Sequence, residues 1–368
     1  MLSNNLITMT NPLCEVLNLK YPIIQAPMAG VSTPELAAAV SNSGALGSIS
    51  VGAATAPQAR EMIYQTQALT TAPFNVNVFC HPPATRNPAK EQAWIKQFSN
   101  MFHSFGSAAP TALDEIYATF CHNSAMLQVL LDTRPAVVSF HFGLPEPEAI
   151  QALKTAGCLT LASATSPDEA RLIAAAGVDF IIAQGFEAGG HRGAFLATEA
   201  DARLSTSELL LLLQKATPLP VICAGGIMNG TDIARVMQQG AAGVQMGTAF
   251  ILCPESAANT AYRGALSLAK PGETCMTSAI SGRPARSLNN AFCKATRMIL
   301  PENIPDYPVA YSLGKALAAA AQSAGEAGFG AQWAGTGAHR ARKESAARLV
   351  EILAQEWRHS SARIETHH

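Results

Sequence analysis

The sequence has little charge and no excess of either sign. Only 14% of its 368 residues are Asp, Glu, Lys or Arg, and 25 basic side chains nearly balance 26 acidic ones. Nucleic acids and acidic lipid surfaces are bound by clusters of positive charge. The composition therefore predicts neither a nucleic acid nor a membrane as a partner.

Long apolar runs are also missing. The longest leucine cluster, residues 209–213, has five members, whereas a membrane-spanning helix needs about 20 apolar residues. The N-terminal stretch MLSNNLITMTN is polar and lacks the basic segment and apolar core of a secretion signal. We expect a cytoplasmic protein.

The spacings typical of metal and redox sites are absent as well. The eight cysteines are scattered at positions 14, 80, 121, 158, 223, 253, 275 and 293, and no two form a Cys-x-x-Cys pair. Most of them lie in apolar, strand-like contexts, so we expect buried, inert thiols and no metal site. No strand-like run is followed by Gly-x-Gly-x-x-Gly, which argues against a Rossmann-bound dinucleotide.

What the sequence does contain is one pattern repeated eight times. Short β-type runs alternate with Ala- and Leu-rich amphipathic stretches that begin at cap-like residues such as Thr33, Ser166 and Asn229. The runs are YPIIQAP, GALGSIS, FNVNVF, AVVSFHFG, CLTLASA, VDFIIAQG, LPVICAGG and AGVQMGTAFI. Eight such units predict an α/β fold, a TIM (β/α)8 barrel with a parallel sheet.

The spacing of the repeats predicts the domain organisation. Residues 1–252 would form the barrel, with an insertion at about residues 81–135 that exceeds the usual connection length. Residues 253–334, rich in Pro and Gly near their middle, predict a smaller second domain that caps the site. Residues 335–368 predict an amphipathic helix that returns to the barrel, followed by a tail.

Amide side chains dominate the predicted carboxyl ends of the strands, where barrel enzymes carry their active sites. The polar or sulfur-bearing residues there are Gln25, Met28, Ser48, Asn75, Asn77, His141, Ser163, Gln184 and Gln245. No carboxylate cluster occurs among them. This composition favours hydrogen bonding to a polar heteroaromatic ring over metal ligation or glycoside hydrolysis.

Glycines mark the ends of the last two predicted strands. AGGIMNG places Gly225 and Gly226 after the seventh strand, and QMGTAF places Gly247 and Thr248 after the eighth. Bare backbone N–H groups beside a helix start can bind phosphate oxygens, although such glycines also serve simply as tight turns. A phosphate site beside amide-bearing strands indicates FMN.

The motifs together resemble those of a known family. QAPMAGVSTPELAAAVSNSGALGSI, FNVNVF, VSFHFGLP, AQGFEAGGHRG, PVICAGGIMNG, GVQMGTAF and YSLGK are similar to the motifs of class I nitronate monooxygenases, formerly called 2-nitropropane dioxygenases. The resemblance runs from about residue 13 to about residue 320. AQGFEAGGHRG alone would indicate only the broader group that includes flavin-dependent enoyl and quinone reductases.

The resemblance implies an activity. It implies FMN-dependent oxidation of alkyl nitronates, such as propionate 3-nitronate, by O2 to a carbonyl compound and nitrite or nitrate, with detoxification as the role and a monomer or homodimer as the assembly. An NAD(P)H-dependent quinone or enoyl reductase on the same scaffold is the alternative enzyme. A non-catalytic protein that binds a flavin or a phosphate ligand is the alternative of another class.

The resemblance and the strand-end positions together give two sets of site residues. The substrate set is His191, His141, Tyr117, Tyr307, Tyr311 and Lys315. The flavin set is Gln25, Ala26, Met28, Asn75, Gln184, Gly189, Gly190, Gly225, Gly226, Gln245, Met246, Gly247 and Thr248. Arg192 has two possible roles, since it could bind the phosphate or brace its own loop.

Overall fold

The structure is a computed structural model that describes residues 11–196 and 200–365, with only the backbone described for residues 363–365. The polar N-terminal stretch up to residue 10 and the last three residues of the predicted tail lie outside the described residues. Within the described ranges, no helix combines the length and apolarity needed to cross a membrane.

Eight parallel strands form a barrel. In chain order, all strands of the described residues, including three that lie outside the barrel (β7, β10 and β11), are β1 (Ile23–Gln25), β2 (Gly47–Ser50), β3 (Phe74–Phe79), β4 (Val137–His141), β5 (Leu159–Ala164), β6 (Phe180–Gln184), β7 (Gly190–His191), β8 (Val221–Ala224), β9 (Gly243–Met246), β10 (Thr274–Thr277) and β11 (Ala285–Leu288). The parallel sheet has the order β1-β9-β8-β6-β5-β4-β3-β2. Leu46 closes it, because its N–H donates to Ile23 and its carbonyl accepts from Gln25, both at 2.9 Å. The predicted TIM barrel is confirmed.

Helices follow the strands, and most of them begin at side-chain caps. The helices are α1 (Pro12–Leu17), α2 (Pro34–Asn42), α3 (Ala56–Leu69), α4 (Pro88–Ser104), α5 (Ser124–Thr133), α6 (Pro147–Thr155), α7 (Pro167–Ala175), α8 (Thr206–Ala216), α9 (Gly230–Gln238), α10 (Thr260–Ser267), α11 (Ala291–Thr296), α12 (Val309–Ser323) and α13 (Ala346–Glu365). Thr33, Ser166 and Asn229 each accept a backbone hydrogen bond in the first turn of their helix, as their sequence positions predict.

Alternate strand residues build two separate parts of the core. Ile23 and Ile181 pack among the residues that face the helices, whereas their neighbours Ile24 and Ile182 belong to a different cluster that fills the amino-terminal end of the barrel. This period of two explains why the strands are continuously apolar in sequence. Because apolar side chains fill that end, the polar residues are confined to the opposite, carboxyl end.

A second layer covers the carboxyl end of the barrel. Strands β10, β11 and β7 form a three-stranded antiparallel sheet, in which His191 of β7 lies opposite Ala285 of β11. The insertion helix α4 packs on α12, and its Trp94 and Phe98 share an apolar cluster with Phe292 and Leu313. The first half of the insertion therefore adds to the same covering layer.

Helix α13 returns to the barrel wall. It packs against α9 and α2, and it buries Leu349, Val350 and Leu353. Glu356 on this helix accepts a 2.9 Å hydrogen bond from the N–H of Gly230, at the start of α9. The chain segment that leads into α13 crosses the carboxyl end of the barrel, which brings Gly335 and Gly337 to the candidate site.

Candidate active site

A cavity of about 1070 Å³ opens at the carboxyl ends of the barrel strands, beneath the covering layer. It is larger than most small-ligand pockets, which range from about 300 to 1,000 Å³. All six residues of the predicted substrate set line it. From the flavin set, Ala26, Met28, Gln184, Gly189, Gly190, Gly225, Gly226, Gln245, Met246, Gly247 and Thr248 line it too.

Gln25 and Asn75 are the two predicted residues that do not line the cavity. Gln25 is fully buried; its Oε1 accepts from the N–H of Ser48 at 2.8 Å and its Nε2 donates to Ser32 at 2.9 Å. Asn75 donates to the Ser48 hydroxyl at 3.2 Å, and its Oδ1 is buried without a partner among the described residues. Both amides lie one layer beneath the cavity floor and hold β1, β2 and β3 together.

Asn77 supplies the amide that reaches the cavity from β3. Its Nδ2 donates to the hydroxyl and the carbonyl of Ser139, at 3.0 and 3.1 Å, and its Oδ1 accepts from Ser50 at 3.2 Å. Asn77 lies two residues after Asn75, on the same face of the strand and nearer its carboxyl end. Its position nearer the carboxyl end of the strand is therefore the sequence signal that Asn77, and not Asn75, lines the cavity.

Free backbone N–H groups line the cavity where β8 and β9 end. Among the described residues, the N–H groups of Gly226, Gly247 and Thr248 have no hydrogen-bond acceptor. Thr248 begins a 3-10 turn, and its hydroxyl accepts from the N–H of Gly335 at 3.0 Å. Several unpaired donors around one point form a receptor for an anion such as phosphate.

The two glycine sites differ in why they need glycine. Gly226 has a φ of +69°, a backbone conformation that side chains rarely allow, so the turn itself requires glycine there. Gly247 has a φ of −101°, and a Cβ on it would meet only Ala26 and Met28, at ordinary contact distances of 3.5 and 3.6 Å. Neither backbone nor packing requires Gly247. The open space beside it belongs to the cavity, which fits close approach of a ligand.

Arg192 braces the loop that carries His191. Its guanidinium is buried and forms an ion pair with Asp201 at 2.7 Å. It also donates to the carbonyls of Gln184 and Gly185, both at 2.9 Å, and to Gln184 Oε1 at 3.2 Å. These protein groups occupy all three guanidinium nitrogens, so within the described residues none is left free for a ligand. Of its two predicted roles, the structure therefore gives it the bracing role.

Gln184 links the end of β6 to the returning loop. Its Nε2 donates to the carbonyl of His191 at 2.9 Å, and its Oε1 accepts from the N–H of Gly193 at 2.7 Å. A Cβ on Gly193 would come within 2.9 Å of His141. The glycine-rich stretch thus folds back across the strand end and brings the two histidines to the same side of the cavity.

His191 lies in an aromatic pocket. Its Nε2 is 2.9 Å from the Ser281 hydroxyl, and its ring centre is 4.9 Å from that of Trp333 and 5.4 Å from that of Tyr307. Burial lowers the pKa of His191 from 6.5 to about 3, and neighbouring His141 and Arg283 add to the effect. The imidazole is therefore neutral at pH 7.

His141 stands at the end of β4, and its Nδ1 is 3.0 Å from the Ser163 hydroxyl. Burial and the positive charge of Arg283 lower its pKa to about 4. Both imidazoles are thus weak bases in the free protein. A bound anion would stabilise their protonated forms and raise both pKa values.

Three tyrosines and a lysine also line the cavity, and two of the tyrosines contact His191. Burial raises the pKa of Tyr117 to about 12 and raises the pKa values of Tyr307 and Tyr311 further, so all three remain O–H donors at neutral pH. Lys315 is exposed, and its ammonium lies 5.0 Å from the ring centre of Tyr117 and 5.7 Å from that of Tyr311. Its position on the cavity wall gives the cavity a positively charged mouth.

Several residues close to the site had no distinctive sequence signal. Ser281 and Arg283 come from the loop before β11, and Trp333 and Gly335 come from the segment before α13. They are about 90 to 150 residues from His191 in sequence, and no strand-end rule points to them. Within residues 11–196 and 200–365, no group of three or more His, Cys, Asp or Glu could hold a metal ion.

Comparison with known proteins gives one consistent result. The family "Nitronate monooxygenase" matches residues 10–356. The chain is 48% identical over 351 residues to a nitronate monooxygenase of Pseudomonas aeruginosa, covering 95% of this chain and 100% of that protein. It is 50% identical over 348 residues to a nitronate monooxygenase of Paraburkholderia phytofirmans, covering 95% of each.

A solved structure agrees with the sequence comparison. The nitroalkane oxidase of Streptomyces ansochromogenes superposes with a TM-score of 0.87 at 39% identity, covering 96% of this chain and 99% of that one. The similarity extends through both the barrel and the covering layer. The chain belongs to the nitronate monooxygenase family, a family of oxidoreductases that act on nitronates.

Proposed function

We propose that the protein binds FMN and uses it to oxidise alkyl nitronates with O2, releasing a carbonyl compound and nitrite or nitrate. The single observation that carries the proposal is the set of unpaired N–H groups at Gly226, Gly247 and Thr248, on a cavity that also holds two neutral imidazoles. The family supports a flavin in general, and the donor set favours a flavin that ends in a phosphate.

The residues present fit FMN. The strand ends of β8 and β9 would hold the phosphate, since their N–H donors are free and Gly247 leaves room for it. Gln184, Asn77 and Gln245 would face the ring and the ribityl chain, and Gln245 Oε1 is buried without a partner among the described residues. When bound, FMN supplies the electron transfer between nitronate and O2.

The protein's own groups bind and orient the substrate. A nitronate has already lost its α-proton, so His191 need not remove one, which suits an imidazole with a pKa of about 3. The phenol groups of Tyr307 and Tyr311 would donate to the nitronate oxygens. The aromatic rings around His191 keep water away from the reacting atoms.

Lys315 would bind the carboxylate of a substrate such as propionate 3-nitronate. We expect Lys315→Met to raise the KM for this substrate about tenfold, because one charge-assisted contact is lost. The KM for an alkyl nitronate of the same length that lacks the carboxylate would stay within about twofold. Oxygen consumption measured with both substrates tests this, and equal changes in the two KM values would contradict it.

The buried histidines also predict a pH-dependent stability. The unfolded imidazoles titrate near pH 6.5, whereas His141 and His191 resist protonation until about pH 4 and 3. Stability is therefore fully present above pH 6.5 and is lost as the pH falls below it, by about 1.4 kcal/mol per pH unit for each imidazole.

Urea unfolding at several pH values between 4.5 and 7.5 measures this loss. In His191→Asn the slope of unfolding free energy against pH should fall by the contribution of one imidazole, while other titrating groups cancel in the comparison. An unchanged slope would mean that His191 is protonated equally well in the folded and unfolded states.

Oxygen uptake and flavin reduction distinguish the proposed function from its alternatives. We expect the purified FMN-loaded protein to consume O2 with propionate 3-nitronate and its flavin to bleach anaerobically on adding the nitronate. Rapid anaerobic bleaching by NADH or NADPH instead would favour a quinone or enoyl reductase. The role proposed with the activity is detoxification in the cytoplasm, by a monomer or homodimer.

A further inference from the structure

Arg283 is a buried cation without an acidic partner. Its side chain lies in the loop before β11 and is 3% exposed, and within the described residues it forms no ion pair. One guanidinium nitrogen donates to the carbonyls of Ala194 and Phe195, the latter at 3.2 Å, while Nε has no partner among the described residues. Burial lowers its pKa to about 10, so it remains charged at pH 7.

A single aromatic ring contacts both this cation and the two histidines. The guanidinium carbon lies 4.5 Å from the centre of the Phe142 ring. The same ring is 4.4 Å from the centre of His141 and meets His191 edge-on at 5.6 Å. Phe142 has a φ of +75°, an unusual conformation for a bulky residue. The ring and the guanidinium are both buried, so water screens the charge only weakly.

Other charged groups around Arg283 do not cancel its charge. The charge of Glu169 acts on Arg283, but within the described residues the two side chains form no ion pair, and the Glu169 carboxylate accepts hydrogen bonds from Thr165 and from the N–H of Phe195. Arg192 is neutralised by Asp201. His81 is also uncharged, because burial lowers its pKa. The remaining titratable neighbour, Tyr307, is a protonated phenol at neutral pH.

We propose that Arg283 is a positioning residue that makes the site selective for anionic nitronates over neutral nitroalkanes. Its fixed charge attracts the negative charge of a nitronate bound beside His191, and it disfavours a competing proton on either imidazole. The selectivity of the site then does not depend on the protonation of a histidine. This inference rests on the proposed function, because it concerns the substrate of the same site.

The test compares one charged and one neutral ligand in the same variant. We expect Arg283→Met to raise the KM for propionate 3-nitronate roughly tenfold, while the inhibition constant of the neutral 3-nitropropanol changes less than twofold. Arg283→Lys, which keeps the charge, should restore most of the nitronate affinity. Equal changes for both ligands in Arg283→Met would overturn the proposal.

Arg286→Met is the matched control. Arg286 is also a buried arginine and lies in β11, three residues after Arg283. It donates to the carbonyl of Phe186 at 2.7 Å and stacks on the Phe186 ring at 4.7 Å. Arg286→Met should remove a comparable set of contacts to the backbone without changing the ratio of the affinities for propionate 3-nitronate and 3-nitropropanol. A changed ratio in Arg286→Met, equal to that in Arg283→Met, would also overturn the proposal.

A measurement on the unmutated protein keeps the inference testable if Arg283→Met does not fold. Nitrogen NMR of ¹⁵N-labelled imidazoles in the FMN-loaded protein should show His141 and His191 uncharged down to pH 5.5. Titration of either ring near pH 6.5 would overturn the proposal. Absence of oxygen uptake in the unmutated protein would instead disprove the proposed function, and the NMR titration would still show whether the two imidazoles stay uncharged beside Arg283.

Discussion

Gly247→Val should weaken FMN binding about 100-fold and leave the free energy of unfolding within about 0.5 kcal/mol. The backbone at Gly247 has a negative φ, and the only neighbours of a Cβ are at ordinary contact distances. The valine side chain would therefore fill the cavity without straining the fold. Flavin fluorescence during titration of the apoprotein with FMN measures the affinity, and urea unfolding measures the stability.

Gly264→Val provides the matched control for this substitution. Gly264 lies on the exposed side of α10, no atom lies within 4 Å of an added Cβ, and it is not among the cavity-lining residues. Its replacement should leave FMN affinity unchanged. If Gly247→Val bound FMN as tightly as Gly264→Val does, the phosphate could not lie where β9 ends.

The second large effect is expected for Arg192→Met, which should lower the free energy of unfolding by about 3 kcal/mol. The substitution leaves Asp201 without its ion-pair partner, with only the N–H of Arg203 as donor among the described residues, and removes donors from the carbonyls of Gln184 and Gly185. Because Gln184 holds the backbone on both sides of Arg192, at His191 and Gly193, the KM for nitronates should rise as well. Urea unfolding and oxygen uptake measure the two effects.

Arg203→Met separates the contribution of the Arg192–Asp201 ion pair from that of stacking on Phe186. Arg203 stacks on the same Phe186 ring as Arg192, at 5.6 and 5.7 Å, but it is exposed to solvent. Its replacement should change stability by no more than about 0.5 kcal/mol. Equal losses in the two variants would show that the ion pair with Asp201 contributes little.

The sequence predicted the barrel because its signals are local. Each strand is a short apolar run, most helices begin at a cap, and the count of eight units selects a closed barrel. The glycines at Gly226 and Gly247 were found for the same reason, since both follow directly on a strand. Local rules also brought His141 and Gln184 to the carboxyl end of the barrel.

The covering layer could not be predicted in the same way, because it depends on contacts between distant segments. His191 was expected in a loop, yet it forms a short strand with Ala285, nearly 95 residues later. Ser281 and Arg283 reach the histidines from that same region. Asn75 and Asn77 show that sequence rules do not resolve neighbouring positions in one strand. Both are amides of β3, and only the point at which the strand ends decides which one lines the cavity.

The affinity of the apoprotein for FMN relative to riboflavin tests the central claim most directly. The two ligands differ only in the phosphate, which the unpaired N–H groups of Gly226, Gly247 and Thr248 would hold. We predict that FMN binds at least about 100-fold more tightly, because two or more charge-assisted hydrogen bonds depend on that group. Equal affinities for FMN and riboflavin would contradict a phosphate site at the ends of β8 and β9.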